Sequence, residues 1–395
     1  MISVEEAKRL LFERIEKSIP VDVGIAEASW CVLAEDVFSP IDLPSFNQSA
    51  MDGYAVAVNE KNKREYEVIG EIKAGDPGSI QLQPGQAVRI FTGAAVPETA
   101  DAIVIQENTI RVNGSVQLTT DFKTGDCIRV KGSQIKKSEL ALKKNSVLNP
   151  AAIGFLASLG MSKLKIFTRP AISIVVTGNE IISPGNDLQP GEVYESNSFS
   201  LAAALKQMQI IPNNILKAVD DKNELKNKFE KCLHDSEIVL LIGGNSVGKY
   251  DLVPVVLQEA GAETIFYKVA QKPGKPFYAG ALKSKIIFAL PGNPAAVLVC
   301  FYEYVYPVIR MMMGFENPGL HSLKLKILKD VVNKENRALF IRSKKTFDGV
   351  MPLEKQDSNM LRSFAEADSI IYIPNEKDNI KNGEEVEVHL LPFNS

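Results

Sequence analysis

The stretch AISIVVTGNE at residues 171–180 decides the fold of the central part of the chain. Its apolar run, Ile172–Val176, is rich in β-branched residues and lacks regular polar alternation, which predicts a strand buried on both faces. Thr177 and Gly178 follow at once and predict a turn at the strand end. The same pattern returns at Glu237–Ile242 and Ile286–Leu290, and each run again leads into a loop that contains glycine.

Helical segments alternate with these strands. Apolar spacing predicts helices at Ser198–Met208, Glu224–Leu233 and Leu252–Ala260, and another that begins near Ala295. Regular alternation of strands and helices is typical of a parallel α/β sheet with helices on its faces.

The flanking regions show other patterns. Ser3 and Glu6 have the spacing of a capping box, and the apolar residues after them predict a helix that Pro20 ends. Short apolar runs broken by Gly and Pro predict an all-β module from about residue 54 to 131, with a hairpin at Asn113-Gly114. A helix is predicted at Pro150–Leu159, and short strands after about residue 318 predict a small β domain.

Composition narrows the class of protein. The 395 residues carry a net charge of −3, so a nucleic-acid coat is excluded and no nucleic-acid partner is expected. Apolar stretches such as Ala295–Phe301 are far shorter than the roughly 20 residues of a membrane span, and the first residues lack a signal-peptide pattern. The 4 cysteines form no CxxC pair and the 3 histidines no HExxH motif. We therefore expect reduced thiols in a cytoplasmic protein that does not bind a membrane.

Three loops fall where ligands bind in open α/β sheets, at the carboxyl ends of strands. They are TGNE at 177–180, GGNSVG at 243–248 and PGNP at 291–294. Glycines allow backbone N–H groups to approach an anion, and the helices that follow add positive potential. Any one loop could be an ordinary turn, but three in one domain predict an anion or nucleotide site.

Charged residues stand close to these loops. The segment KVAQKPGKP at 268–276 carries three lysines in a proline-framed loop, which suits an oxyanion such as phosphate. Glu180, Asp220 and Asp251 lie at loop ends, and carboxylates beside phosphate loops suggest Mg²⁺. Helix capping is the alternative role for Asp251 and for Asp221.

The string SAMDGYA at 49–55 and KPGKP at 272–276 resemble motifs of the MoeA family, the molybdopterin molybdenumtransferases. FTGA at 91–94 and the three strand-end loops occur in the same order, so the resemblance covers essentially the whole chain. It implies an enzyme of molybdenum cofactor biosynthesis. Such an enzyme inserts molybdenum from molybdate into adenylylated molybdopterin and releases AMP in a Mg²⁺-dependent reaction.

The resemblance also implies a multidomain fold of α/β plus β type. The parts expected are a discontinuous helical segment at 1–43 and 135–168, an inserted β domain at 44–134, a MogA-like parallel α/β domain at 169–318 and a C-terminal β-barrel-like domain at 319–395. Members form homodimers, and a MogA-like partner and molybdoenzyme acceptors are expected.

Roles for individual residues follow from the same resemblance. Asp52, Glu180, Asp220 and Asp251 would be catalytic, with the last three handling Mg²⁺. Asp52 and Thr92 would reach the site from the second subunit. The residues expected to bind substrate are Thr92, Gly244, Ser246, Lys268, Lys272, Lys275, Pro291, Gly292, Asn293, Arg342 and Ser358. Ser246 and its glycines would hold the pterin or a phosphate, the lysines would hold anions including molybdate, and Arg342 with Ser358 would complete an oxyanion pocket.

Three positions depart from the family pattern. Asn245 stands where a valine is common, Gln134 where an acidic residue is usual, and Asn179 where aspartate is frequent. Two alternative functions stay open at this point. One is a MogA-like molybdopterin adenylyltransferase, and the other is a non-catalytic scaffold that binds the pterin.

Overall fold

A computed structural model of the chain describes residues 1–58, 64–243 and 252–392. The chain forms two compact units. The inserted unit is Asp22–Lys165, and the main unit combines Met1–Val21 with Ile166–Ser395. The chain passes from one unit to the other within the strands Pro20–Gly24 and Lys163–Phe167. The finer division into four domains stays a prediction.

The inserted unit is built on a six-stranded sheet. Its strand order is Ala102–Ile105, Gly53–Val56, Gln86–Ile90, Glu65–Ile72, Ser115–Leu118 and Thr109–Val112. The last two strands form the hairpin predicted at Asn113-Gly114, whose φ angles of 36° and 89° are the positive values that a two-residue turn of this kind requires. The other elements are the 3-10 turn Gln106–Asn108, the short strand pairs Val37–Phe38 with Leu140–Leu142 and Gln48–Ser49 with Ile128–Arg129, and the helix Pro150–Ser158.

The main unit contains the predicted α/β sheet. Its strand order is Asn214–Ala218, Ile172–Thr177, Ile238–Ile242, Lys285–Leu290, Tyr278–Leu282 and Glu263–Tyr267. The first four strands are parallel, as predicted, whereas Tyr278–Leu282 pairs antiparallel with both of its neighbours. Only Lys283 and Ser284 connect the strands that end at Leu282 and begin at Lys285. Two residues cannot make the crossover that parallel strands need, so this edge of the sheet must be antiparallel.

Helices cover both faces of this sheet, which explains why its strands are apolar throughout. Ile174 and Leu240 belong to a cluster that includes the helix Asn197–Gln207 and the long helix Pro294–Met312. Val175 and Leu241 face the opposite way, into a second cluster. That cluster also contains residues of the helices Lys222–Asp235 and Leu252–Glu259.

The long helix contains a widened π turn at Phe301–Val305, directly before Pro307. Proline has no N–H and its ring crowds the carbonyl four residues earlier, that of Glu303, so the wider turn accommodates it. By length and hydropathy the helix could cross a membrane, but 83% of the apolar window is buried inside the protein. It is therefore a core helix of the main unit.

The C-terminal sheet takes its first strand from the lysine loop, which we define as residues 268–276. The strand order is Gln271–Lys272, Ala338–Lys345, Ser369–Ile373, Glu385–Leu390 and His321–Lys326, with Val350–Pro352 paired to the second strand. The smaller elements are the strands Val331–Val332, Asn379–Ile380, Ile181–Ile182 and Val193–Tyr194, and the helix Arg362–Glu366.

The N-terminal helix spans Val4–Phe12. The Ser3 half of the predicted capping box is observed, because the Glu6 backbone N–H donates to Ser3 Oγ at 3.1 Å. The prediction that it runs to Pro20 is wrong. The chain leaves the helix early and turns so that the Ser18 N–H donates to the Met312 carbonyl, at the C-terminal end of the long helix, at 2.8 Å.

A buried ionic cluster of Glu303, Lys8 and His389 joins the long helix, the N-terminal helix and the C-terminal sheet. Lys8 Nζ lies 2.7 Å from Glu303 Oε2, and His389 Nδ1 lies 2.7 Å from Oε1 of the same carboxylate. Burial by itself raises the pKa of Glu303, but Lys8 and His389 outweigh it and bring the pKa to about 2. Burial likewise opposes the charge on His389, yet Glu303 and Glu387 raise its pKa to about 9.

Candidate active site

A cavity of about 1230 Å³ opens at the carboxyl ends of the parallel strands of the main unit. The loop at 177–180 and the segment 291–294 line it, as does Gly243, and each of them follows a strand. Eight of the residues predicted from the sequence lie on its wall: Glu180, Asp220, Lys272, Lys275, Pro291, Gly292, Asn293 and Ser358. Three more, Gly244, Ser246 and Asp251, lie outside the described residues.

One side of the cavity carries the carboxylates of Glu180 and Asp220, both exposed to solvent. Asn179 ties their two loops together. Its side-chain Oδ1 accepts the Asp220 N–H at 3.0 Å, and its own N–H faces Asp220 Oδ2 at 3.4 Å. An aspartate at 179 would add a second negative charge next to Asp220. The neutral amide therefore fits the loop contact without that repulsion.

Gly178 suits the backbone conformation at this strand end and leaves space for the Glu180 side chain. Its φ of +146° lies where side chains are strained, and an added Cβ would lie 2.8 Å from Glu180 Oε2. The glycine thus leaves room for the Glu180 carboxylate to fold back over the strand end.

These oxygen ligands suit a hard cation. Within residues 1–58, 64–243 and 252–392, no three His, Cys, Asp or Glu side chains form a ready metal cluster. Mg²⁺ is commonly held by one or two carboxylates together with water and substrate phosphates. Glu180 and Asp220 therefore fit Mg²⁺ that arrives with a phosphate-bearing substrate.

The lysine loop follows Glu263–Tyr267, the last strand of the sheet order, and brings Lys272 and Lys275 to the cavity wall. Gln271 belongs to this loop, and its side chain is fully buried under the loop backbone. Its Nε2 donates to the Pro273 carbonyl at 3.0 Å, and its Oε1 accepts a hydrogen bond from the Tyr304 hydroxyl. A Cβ on Gly274 would lie 2.6 Å from Gln271 Nε2 and 2.7 Å from Cys300 Sγ. The loop thus rests directly on the long helix, and its backbone is fixed from below.

The three lysines of this loop differ in their surroundings. Lys272 and Lys275 line the cavity, and Lys272 Nζ lies 2.5 Å from Glu335 Oε1. Lys268 has a positive φ of 64°, and its Nζ lies 4.7 Å from the centroid of the Tyr267 ring. It is not among the residues of the cavity wall.

Arg342 is fully buried and is not among the residues of the cavity wall, so its expected role in an oxyanion pocket stays a prediction. Its side chain is fully buried in the C-terminal domain, where Nη2 donates to the carbonyls of Lys355 and Asp357, each at 3.1 Å. Burial lowers the pKa of Arg342 to about 10, so the guanidinium is charged at neutral pH. It therefore shapes the loop that carries Ser358.

Ser358 joins this loop to the segment 291–294. Its Oγ accepts a hydrogen bond from Asn293 Nδ2 at 2.7 Å, and its carbonyl accepts the Ala295 N–H at 3.0 Å. The hydroxyl proton of Ser358 is left to donate toward the cavity, because the oxygen already accepts from Asn293.

Asp52 and Thr92 lie in the inserted unit and form one hydrogen-bonded pair. The Thr92 N–H and hydroxyl both donate to Asp52 Oδ1, at 2.8 and 2.7 Å, and these bonds lower the pKa of Asp52, the backbone bond first. Gly53 follows because a Cβ there would lie 2.1 Å from the Val104 carbonyl oxygen in the next strand. Their contribution to a site in a second subunit stays a prediction.

The residues of the cavity wall that sequence reasoning did not single out include Asn197, Gln271 and Arg337. Asn197 is buried, and its Nδ2 donates to the Gly292 carbonyl at 2.8 Å. Its Oδ1 is also buried and has no hydrogen-bond partner among the described residues. An asparagine at the start of a helix is usually interpreted as a capping residue. The sequence therefore did not indicate that the buried Asn197 Oδ1 would lack a hydrogen-bond partner.

Comparison with known proteins gives a consistent family assignment. Residues 2–160 match the MoeA N-terminal region (domain I and II), residues 173–311 a probable molybdopterin binding domain, and residues 324–391 the MoeA C-terminal region (domain IV). A molybdopterin molybdenumtransferase of Nostoc is 34% identical, with 100% of this chain and 94% of that protein covered. One of Haemophilus influenzae is 30% identical, with 100% and 99% covered.

A solved structure agrees over the same length. The crystal structure of a molybdopterin biosynthesis MoeA protein from Pyrococcus horikosii superimposes with a TM-score of 0.83 at 32% identity and covers 99% of each chain. The likeness extends over both compact units and over the segments that line the cavity.

Proposed function

The chain belongs to the MoeA family of molybdopterin molybdenumtransferases, and from this premise we propose that its cavity binds adenylylated molybdopterin and molybdate and inserts molybdenum with release of AMP. One observation carries the proposal. Glu180 and Asp220 reach the cavity wall from loops after the first two strands of the sheet order, and Lys272 and Lys275 reach it from the loop after the last strand, so a cation-bearing phosphate and an oxyanion have separate, complementary places.

Molybdate would bind at the lysine loop. Lys272 and Lys275 offer ammonium donors, and Ser358 offers a hydroxyl whose oxygen is already held by Asn293. Charge-assisted hydrogen bonds from fixed donors are the expected contacts for a tetrahedral oxyanion. Because Gln271 holds the loop backbone, the points from which the two lysine side chains extend are already fixed when the anion binds.

The phosphoanhydride would lie near Glu180 and Asp220. Bound Mg²⁺ would supply charge neutralisation at the phosphates as their bond breaks. Glu180 and Asp220 would hold this ion, and Asn179 would keep Asp220 in place. Without a cation these carboxylates would repel an anionic substrate, so we expect AMP release to depend on Mg²⁺.

The pterin would meet the wall at Asn197. A buried amide oxygen without a partner costs free energy until a donor reaches it. The N–H groups of a pterin are donors of the right kind. We propose further that Asp52 and Thr92 complete the site from a second subunit of a homodimer, and that a MogA-like enzyme supplies the adenylylated substrate.

The decisive experiment measures AMP release from adenylylated molybdopterin, with and without molybdate and Mg²⁺. We expect release that needs both ions. In Lys275→Ala, loss of one charge-assisted donor should weaken molybdate use about tenfold or more. Lys329→Ala is the matched control, because Lys329 pairs with Glu354 at 2.8 Å and does not line the cavity.

Two other results would favour the alternatives. Formation of adenylylated molybdopterin from molybdopterin and ATP would indicate an adenylyltransferase. Tight binding of adenylylated molybdopterin without AMP release under any condition would indicate a scaffold.

A further inference from the structure

Glu335 sits between two cations of the cavity wall. Its carboxylate pairs with Lys272 through one oxygen, at 2.5 Å, and with the Arg337 guanidinium through the other. Lys272 and Arg337 both line the cavity, whereas Glu335 is not among the lining residues. The Glu335 carboxylate therefore forms ion pairs with two positively charged residues of the cavity wall.

The backbone positions of Lys272 and Arg337 do not depend on the Glu335 carboxylate. The strand Gln271–Lys272 pairs in parallel with the strand that begins at Ala338, and the Ala338 N–H donates to the Ala270 carbonyl at 2.9 Å. This register places Lys272 opposite Leu339, two residues along the strand from Arg337. Backbone hydrogen bonds thus fix the points from which the Lys272 and Arg337 side chains extend, and the Glu335 carboxylate lies between their charged groups.

The turn that presents Glu335 has its own support. Asn333 is buried, its Oδ1 accepts the Glu335 N–H at 3.3 Å, and its Nδ2 donates to the Arg337 carbonyl at 2.8 Å. Only backbone atoms of Glu335 and Arg337 take part. A change of the Glu335 side chain should therefore leave the turn intact.

We propose that Glu335 is an internal competitor for the oxyanion site, and that Lys272 and Arg337 together form the oxyanion-binding pair once Glu335 is displaced. This inference rests on the proposed function and adds Arg337 as an oxyanion ligand. Two oxygens of a carboxylate imitate two oxygens of a tetrahedral oxyanion, and a guanidinium binds either through parallel N–H donors. The side chains of Lys272, Glu335 and Arg337 are 47%, 34% and 24% exposed, so exchange with an anion from solvent needs no opening of the fold.

Displacement makes a clear prediction for affinity. Binding of molybdate must break the two Glu335 contacts, so part of its binding free energy is spent on that exchange. Glu335→Gln removes the charge and keeps the shape of the side chain. We expect it to lower the Kd for molybdate about twofold to fivefold, the upper part of the range for loss of a partly exposed ion pair.

The test is calorimetric titration of the full-length protein with sodium molybdate, in a chloride buffer free of phosphate and sulfate. Arg337→Ala should raise the Kd about tenfold or more, with a smaller rise for Arg337→Lys, because lysine keeps the charge but loses the paired donors. Glu354→Gln is the matched control and should leave the Kd unchanged, since Glu354 pairs with Lys329 away from the cavity wall.

The outcomes separate this inference from the function it builds on. Saturable molybdate binding that is unchanged or weaker in Glu335→Gln would overturn the competitor role while leaving the oxyanion pocket in place. An unchanged Kd in Arg337→Ala would remove Arg337 from the ligand set. Failure of the unaltered protein to bind molybdate at all would overturn both the inference and the pocket.

Discussion

The buried ionic cluster makes the most direct prediction about stability. Glu303→Gln removes the carboxylate that Lys8 and His389 share but keeps nearly the same volume, so the packing of the long helix is preserved. His389 is only 9% exposed and keeps a contact with Glu387 at 3.1 Å, and Lys8 is 26% exposed. Removal of one partner from a buried ion pair typically costs about 3–5 kcal/mol, and these remaining contacts with Glu387 and solvent favour the lower end of that range.

The pH dependence of the effect follows from His389. Its pKa rises from an ordinary 6.5 to about 9 in the folded protein, despite its burial, because Glu303 and Glu387 hold the proton. A rise of this size corresponds to about 3 kcal/mol of stabilisation. Since the folded pKa is the higher one, this contribution is complete below pH 6.5 and disappears as the pH rises through 9.

The measurement is urea-induced unfolding at pH 6, 8 and 10, followed by far-ultraviolet circular dichroism. The only tryptophan, Trp30, lies in the inserted unit, so its fluorescence does not report on the main unit. We expect Glu303→Gln to lose about 3 kcal/mol at pH 6 and clearly less at pH 10. The control is Glu13→Gln, whose ion pair with Arg9 is 58% exposed on both sides and should be worth under about 0.5 kcal/mol. An equal loss in both variants, or a loss that does not change with pH, would refute the reasoning.

Three further predictions concern the site and the thiols. Gly178→Ala should reduce AMP release about tenfold or more, through about 1–3 kcal/mol of backbone strain and its clash with Glu180, whereas Gly154→Ala, with open space around it, should be neutral in the same assay. Gln271→Ala should raise the KM for molybdate more than it lowers kcat, because the lysine loop loses its support from below; equal effects in steady-state kinetics would indicate a catalytic role instead. A thiol reagent should modify Cys127 in the native protein and the buried cysteines only on unfolding, since burial raises the pKa of two of them, and fast reaction of all thiols would contradict this. The buried cysteines are Cys31, Cys232 and Cys300.

Much of the main sheet could be predicted because its signal is local. The runs at 172–176 and 286–290 are apolar on both faces, and each strand lies within a residue or two of its predicted bounds. The antiparallel edge was missed because Tyr278–Leu282 carries no periodic pattern of its own. Its direction is set by the two-residue connection that follows it, and short connections are easily overlooked in a sequence.

The residues of the candidate site also differ in whether local sequence patterns or distant contacts determine their placement. Residues on strand-end loops, such as Glu180 and Asn293, were found because parallel topology alone brings those loops together. The role of Arg342 was expected only from the family resemblance, and its burial could not be foreseen because its partners are carbonyls of a loop thirteen residues away. Arg337 and Glu335 could not be found from sequence, since their relation to Lys272 depends on a pairing between distant segments.

That pairing has a consequence for how the chain can evolve. Gln271–Lys272 follows the α/β sheet in sequence, yet its hydrogen bonds belong to the C-terminal sheet. The C-terminal domain is therefore not an exchangeable module. Recombination that replaced this domain with that of a distant relative would also change the strand that pairs with Gln271–Lys272. The spacing between Lys272 and Arg337 would then change as well. Substitutions in the second strand of that sheet and in the lysine loop should therefore covary among related proteins, although the two segments are far apart in sequence.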